Sequence, residues 1–290
     1  MSLPSTDTIV TFPDAETAST GTVLLVSALA DGRSAVVLDR TAFHPIDPVW
    51  PDQPADRGTL TVDGASQPIV DAVVGGTDGE VLYVGDAPVR TGTEGWTFVV
   101  CHIVDDAGGI EPGASASVAV DPAYRAALSA GHTACHLASL ALNEALSGLW
   151  TKEVPVDGRG RPNFDQLAIT SSRILENGSI DEYRIGKSLR KKGLAAAELR
   201  VRLDDIENEA NSRLAEWVAT GAAVSILRDG DGLSERRSWR CELPDGAVEI
   251  PCGGTHVHAL TDFSAVRVAL ELREADGALE LTMRTEASPS

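Results

Sequence analysis

Two imidazoles stand four residues apart in Gly131-His132-Thr133-Ala134-Cys135-His136-Leu137, just ahead of an apolar run of Leu137, Leu140, Ala141, Leu142 and Leu146 at helical spacing. Positions i and i+4 share one face of a helix, so both rings are predicted to lie a turn apart on the same side. A thiol and a third imidazole, again four apart, occur far downstream in Cys252-Gly253-Gly254-Thr255-His256. Zinc favours imidazole nitrogen and thiolate sulfur at about 2.0 to 2.3 Å in a tetrahedron. His132, His136, Cys252 and His256 together make a complete donor set for that ion. Gly253 and Gly254 suit the turn, because a residue without Cβ accepts positive φ and lets backbone N–H groups approach a ligand closely. A catalytic zinc keeps one position for water or substrate. If all four side chains bind, Lewis-acid chemistry needs one of them to exchange or the ion to become five-coordinate, and the spacing leaves both open.

Such a centre needs a rigid helix under its first pair and a scaffold that returns the distant turn. At 290 residues the chain exceeds the usual single-domain size, so two domains are expected. From Thr22 onward, strand-like runs at Val23–Val26, Ala35–Leu38, Thr59–Val62, Ile69-Val70, Ala72–Val74, Val81–Val84, Thr97–Val100 and Val118–Val120 alternate with Gly-rich breaks. Asp31-Gly32 is a hairpin-turn dipeptide. No helical period interrupts these runs, which predicts a small closed or nearly closed β-barrel over residues 1–121, with 1–20 a weakly ordered, Pro-, Thr- and Ser-bearing lead-in. The second domain, 122–290, opens with the helix of His132 and His136 from about Tyr124 to Trp150. Phe164 to Ile174 reads as either strand or helix. From Ala195 to Thr220, Leu199, Leu203, Ile206, Ala210, Leu214 and Trp217 recur at three- and four-residue spacing, which predicts a long amphipathic helix. Strands are expected at Ala223–Leu227 and Val248–Ile250, and a hairpin around Asp276-Gly277 closes the chain. The fold class is therefore α+β: a β-barrel domain, then an α/β domain with a zinc site between a helix and a glycine-rich turn.

The formal net charge of −19 does not suit a protein that grips nucleic acid over a broad face, since phosphate contacts need Lys and Arg. Distribution matters more than the sum, however. Arg184, Lys187, Arg190, Lys191 and Lys192 supply five cations with no acid among them in Tyr183–Lys192, a candidate phosphate-contact face. No apolar run approaches the roughly 20 residues that span a bilayer, and the short run Val23–Val26 follows no basic stretch. A cytoplasmic protein without membrane or DNA partners is expected. Four cysteines in a chain of this length make no disulfide framework; Cys101 and Cys135, in apolar company, read as small buried hydrophobes.

The order His-Thr-Ala-Cys-His at 132–136, then Cys-Gly-Gly-Thr-His-Val at 252–257, resembles the editing domain of alanyl-tRNA synthetases and their free-standing relatives, the AlaX proteins. Val37–Phe43 and Gln53–Leu60 look like that family's barrel, and Ile206-Glu207-Asn208-Glu209-Ala210-Asn211 is similar to its helix before the second ligand pair. The resemblance implies that His132, His136, Cys252 and His256 bind zinc. It implies trans hydrolysis of the aminoacyl ester at the acceptor end of tRNA(Ala) wrongly charged with serine or glycine. At this length no room remains for aminoacylation and anticodon-reading domains. Thr133 and Thr255, beside ligands, are candidates to bond the seryl side chain or the attacking water, and Asp165 is a candidate base. His258 reads as a strand or supporting residue, and His44 and His102 as structural or surface groups.

Two stretches depart from the family. Phe43-His44-Pro45-Ile46-Asp47-Pro48-Val49-Trp50-Pro51-Asp52-Gln53 stands where a Gly-Gly-Gln element is usual, and Leu149–Val154 stands where glutamines lead to Gly-Ser. Two other readings therefore stay open: a zinc hydrolase for a different ester or amide, and a non-catalytic zinc-stabilised RNA-binding module. No feature of the sequence sets the oligomeric state.

Overall fold

The computed structural model describes residues 2–290; Met1 lies outside the described residues. The fold is mixed α+β and mostly sheet, and the chain divides into two compact units. The first comprises residues up to Ala126 with Ile226–Arg237 and Gly253–Thr255; the second comprises Ala127–Ser225, Ser238–Cys252 and His256–Ser290.

In the first unit, the strands are β1 (Ile9–Val10), β2 (Ala18–Ala28), β3 (Ser34–Leu38), β4 (Arg40–Thr41), β5 (Gly58–Val62), β6 (Ala65–Ile69), β7 (Asp71–Thr77), β8 (Leu82–Val84), β9 (Thr97–Val104) and β10 (Ser115–Val120). Eight of them form one antiparallel sheet in the order β6-β5-β10-β2-β3-β9-β7-β8. Alternation places Ala116, Val118 and Val120 of β10 inward with polar or small residues between them. Ile69 near one end of the sheet and Val74 near the other share a core with Val36, Leu38, Phe98 and Val100. The sheet must therefore curl strongly around that core. The order runs from β6 to β8, and β6 continues into β7 through Val70, whose N–H donates to Ile103 O of β9 at 2.8 Å, so one stretch of chain pairs with β5 and then with β9.

The amino-terminal segment differs from the weakly ordered lead-in expected there. Thr8, Val10, Thr11 and Phe12 are buried. β1 pairs with β4, Ile9 N–H donates to Asp39 O at 2.8 Å and Thr11 N–H to Thr41 O at 3.0 Å. A composition rich in Pro, Thr and Ser lacks a strong period of its own, but here a distant strand supplies the backbone partners.

The helices and remaining strands are α1 (Pro122–Ala145), α2 (Phe164–Ala168), β11 (Ile169–Leu175), β12 (Gly178–Ile185), α3 (Lys187–Lys191), α4 (Ala196–Val201), α5 (Leu203–Thr220), β13 (Val224–Arg228), β14 (Arg237–Leu243), β15 (Gly246–Pro251), β16 (Phe263–Ala275) and β17 (Ala278–Pro289). Asp121 starts α1: its Oδ1 accepts the N–H groups of Ala123 and Tyr124 at 3.0 and 3.1 Å, and Pro122 occupies the first turn, where its missing N–H costs nothing. The helix ends at Ala145, earlier than Trp150, and a short 3₁₀ turn follows at Ser147–Leu149.

The ambiguous segment after Phe164 is both helix and strand. Asn163 Oδ1 accepts Gln166 N–H at 3.1 Å and caps α2, after which β11 turns back into β12. The long amphipathic stretch is broken at Arg202 into α4 and α5, yet Leu199, Ile206, Ala210, Leu214 and Trp217 are all buried, so its apolar period survives the break. Four strands pair as β11-β12-β17-β16, and three as β13-β14-β15. β16 is an edge strand, and α5 blunts that edge. Asn211 donates to Val268 O at 2.9 Å and accepts Val268 N–H at 2.8 Å, while Glu207 accepts Leu270 N–H at 2.7 Å.

Close packing sets the position of α1. Gly131 lies one residue before the first ring of the histidine pair, and a Cβ there would collide with the carbonyl oxygens of Leu175 and Gly178 in the β11–β12 turn. Gly131→Ala gains about 1 kcal/mol of helix propensity. Backbone oxygens cannot swing aside like a side chain, so overpacking should outweigh that gain and cost about 1–3 kcal/mol. Urea unfolding monitored by circular dichroism checks this, and a more stable variant would contradict the packing argument.

Candidate metal centre

The second unit gathers all four donors foreseen from the spacing. α1 sets the His132 and His136 rings 4.8 Å apart, and the chain leaving β15 brings in Cys252 and His256, whose ring lies 4.5 Å from His132 and 5.1 Å from His136. One ligand atom from each residue lies within 4.8 Å of the others, an arrangement that could hold a metal ion. Cys252 Sγ is 3.4 Å from His132 Nε2 and 3.3 Å from His256 Nε2. Tetrahedral bonds of about 2.0–2.3 Å separate neighbouring donors by roughly 3.3–3.8 Å, so these spacings suit zinc.

His136 supplies an independent test of fit. Its Nε2 is buried with no hydrogen-bond partner, an arrangement that native interiors rarely tolerate and that a bound cation would relieve. Burial pushes the His136 ring down to about 4, which leaves it neutral with a lone pair to offer.

Surrounding groups orient these donors. Thr133 Oγ1 accepts Val257 N–H at 3.2 Å and lies 3.2 Å from His256 Nδ1. With Nδ1–H donating to that hydroxyl, His256 keeps the Nε2 lone pair toward Cys252, the tautomer a metal ligand needs. Trp239, fully buried on β14, packs its ring 5.1 Å from His136. This wall was not foreseen, although Trp239 alternates with Cys241 and Leu243 ahead of Pro244-Asp245-Gly246, a turn signal that marks the β14–β15 hairpin.

The other predicted site residues sit as follows. Thr255 is held in the first unit by Gln53, whose Nε2 donates to Thr255 Oγ1 at 2.9 Å and whose Oε1 accepts Thr255 N–H at 3.1 Å. Gln53 is only 2% exposed. It ends the rebuilt loop and opens the family-like stretch Gln53–Leu60. Asp165 lies outside the four-donor group. Its Oδ1 accepts the Tyr183 hydroxyl at 2.9 Å, and burial raises the carboxyl to about 6 against that bond. His258 is exposed, and its carbonyl accepts Val224 N–H at 2.7 Å in a strand-like contact. His102 is structural, between Thr41 Oγ1 at 2.9 Å and Val36 O at 3.0 Å. Cys101 is buried, and burial raises its thiol to about 12, as suits an inert hydrophobe. Cys135 is less purely apolar than expected: its thiol donates to Asp181 Oδ1 at 3.5 Å.

Arg184, Lys187, Arg190, Lys191 and Lys192 are all exposed, on the end of β12 and around α3. Arg184 faces Glu280 at 3.6 Å, and Arg190 donates to Gly277 O at 2.9 Å. Lys152 joins the group through a 3.0 Å bond to Lys191 O. Among the described residues, no helix is long and apolar enough to cross a membrane.

Fold and site together define an α+β protein with a buried nitrogen-and-sulfur centre suited to a transition metal. No family model matches the chain. It is 28% identical over 201 residues to the alanine–tRNA ligase of Sinorhizobium medicae, covering 69% of this chain and 21% of that protein. To the alanine–tRNA ligase of Bifidobacterium longum it is 28% identical over 245 residues, 83% of this chain and 23% of the other. To that of Desulfosudis oleivorans it is 25% identical over 265 residues, 91% and 26% respectively. Over most of its length the chain is thus similar to alanine–tRNA ligases, in keeping with the editing-domain family its motifs resemble. It spans about a quarter or less of the length of these curated relatives.

Cobalt substitution tests the centre. Co(II) bound by one thiolate and three imidazoles should give tetrahedral d–d bands and a thiolate charge-transfer band, at about one ion per chain. Cys252→Ser should remove the charge-transfer band, and His136→Ala should weaken metal binding at least about 10-fold. An unchanged spectrum in both variants would show that the metal binds elsewhere.

Proposed function

We propose that this chain is a zinc-dependent hydrolase that deacylates tRNA(Ala) mischarged with serine or glycine, acting in trans in the cytoplasm. The observation that carries the reading is the four-donor cluster, built from two motifs in the editing-family order, in a chain related to alanine–tRNA ligases. Residues 1–121 are taken as the barrel domain and 122–290 as the editing-type domain.

His132, His136, Cys252 and His256 would hold the zinc. When bound, the ion supplies Lewis-acid chemistry that polarises an ester carbonyl and makes water a stronger nucleophile. Thr133 fixes the His256 ring, since its hydroxyl is committed to that ring and to Val257 N–H. Thr255, held at both its amide and its hydroxyl by Gln53, is assigned to bond the seryl side chain or the attacking water. Asp165 is the remaining carboxyl candidate for proton transfer, with burial raising it to about 6 against the Tyr183 hydrogen bond. Arg184, Lys187, Arg190, Lys191 and Lys192 are assigned to phosphates of the tRNA acceptor end.

A closed set of four donors also suits the non-catalytic reading, in which zinc stabilises an RNA-binding module. Deacylation of Ser-tRNA(Ala), with and without a chelator, separates the two. Serine release that chelation abolishes and zinc restores is the expected result; binding without release favours the module, and neither points to another ester or amide.

Charge reversal at Lys191→Glu with Lys192→Glu should weaken tRNA binding about 10-fold or more at low salt and flatten its salt dependence. Zinc content should stay unchanged. Equal affinity for tRNA in the double variant would remove the basic face from the interface.

A further inference from the structure

His44 is a buried imidazole that the metal centre does not use. It stands at the start of the rebuilt loop, and three contacts fix it within the first unit. Its ring meets Phe12 edge-on, with centroids 5.0 Å apart at 79°. Its backbone N–H donates to Asp56 Oδ2 at 2.6 Å. Its Nδ1 lies 3.5 Å from Gln53 Nε2. Asp56 is locked in turn by a buried ion pair with Arg125, which also donates to Ala42 O at 2.7 Å.

The polarity of this array follows from one group that has no choice. Thr255 backbone N–H can only donate, so the oxygen of the Gln53 amide must face it. The amide nitrogen then faces Thr255 Oγ1 and His44 Nδ1, and both must accept. His44 must therefore be the neutral Nε2–H tautomer, with its lone pair on Nδ1. The charged groups around the ring agree. Burial, with the positive fields of Arg125 and Arg237, pushes His44 down to about 3 against an opposing hydrogen bond to the Pro54 backbone, so the ring stays neutral throughout the working range. A protonated ring would set N–H against N–H at Gln53 and favour a flipped amide that could no longer take Thr255 N–H.

We infer that His44 is a positioning residue whose Nδ1 lone pair holds the Gln53 amide in the one orientation that grips Thr255 by both its backbone N–H and its hydroxyl. The inference rests on the assignment of Thr255 to substrate or water in the preceding section. By this route a residue of the rebuilt loop sets the polarity of the hydroxyl next in sequence to His256. Thr255 Oγ1 accepts from Gln53, so its own proton is directed elsewhere than to the amide.

Two measurements on the zinc-loaded full chain test this. The first needs no activity: nitrogen-15 spectra of the imidazoles and hydrogen exchange at the Thr255 amide. His44 should show the Nε2–H tautomer and no titration between about pH 5 and 8. Gln53→Glu places a carboxylate opposite Nδ1 and should raise the His44 titration into that window. His44→Phe keeps the contact with Phe12 but lacks the acceptor, and should speed Thr255 amide exchange about 10-fold or more. His44→Asn, whose Oδ1 falls near the place of Nδ1, should restore slow exchange. An Nδ1–H tautomer in the wild type, or unchanged Thr255 exchange in His44→Phe, would overturn the inference.

The second measurement is kinetic, on Ser-tRNA(Ala). His44→Phe should lower kcat about 10-fold with zinc content and KM little changed, and His44→Asn should recover most of it. Equal loss in both variants together with a lowered Tm would mean that His44 serves only the fold, against the inference. If the wild type releases no serine while the spectroscopic results hold, the assignment of substrate fails and the positioning of Thr255 stands.

Discussion

A buried imidazole nitrogen with no partner is the constraint around which the second unit is arranged. His136 Nε2 cannot reach water or a protein donor, and three further donor atoms crowd the same small volume. Cys252 Sγ stands 3.3 and 3.4 Å from two imidazole nitrogens, the separation of neighbouring donors around one tetrahedral ion. A divalent cation would join these four donors into one bonded set. The free energy of that set would be available to fold the turn at 252–256 onto a helix more than a hundred residues earlier.

Such a centre is only as good as the rigidity of what carries it. α1 begins at a capped Asp121-Pro122 and is pinned by the contact between Gly131 and the β11–β12 turn, so the rings at 132 and 136 have no slack along the helix axis. Thr133 lies on the same helix and fixes the ring of His256, which makes α1 both the source of two donors and the jig for a third. Trp239, fully buried, packs its ring 5.1 Å from His136 and 6.2 Å from His256, in surroundings where electrostatic contacts are stronger than in water. In the first unit, the array of Arg125, Asp56, His44 and Gln53 performs the corresponding task for Thr255. Its members are buried polar groups whose hydrogen-bond demands interlock, so that one backbone N–H decides the orientation of the amide and the tautomer of the ring.

Much of the local structure was legible because it is encoded locally. The hairpin at Asp276-Gly277, with φ of 50° and 70°, needs residues that accept positive φ, and the sequence supplies them. β10 follows its alternating residues and begins at Ser115, ahead of its apolar run, because backbone pairing continues through small and polar positions, whereas β9 runs on through Cys101-His102-Ile103-Val104, all of them buried. Helical period placed α1 and the buried stripe of α5 but could not foresee the interruption at Arg202, since the apolar stripe reads continuously across it. The amino-terminal segment differs for the opposite reason. Phe12 and its neighbours are ordered by β4, and no local pattern records a partner thirty residues away.

The sequence by itself determined the donor types, their pairing at four-residue spacing and the likeness to the alanyl-tRNA editing family, because side-chain chemistry and helical periodicity are properties of short stretches. Only the tertiary structure decided that the four donors meet within 4.8 Å, that Trp239 walls them, and that Gln53 rather than a glycine pair governs Thr255. Those facts depend on contacts between segments up to 202 residues apart. Their geometry is set by packing and by the directionality of buried hydrogen bonds, neither of which leaves a mark in the spacing of residues along the chain.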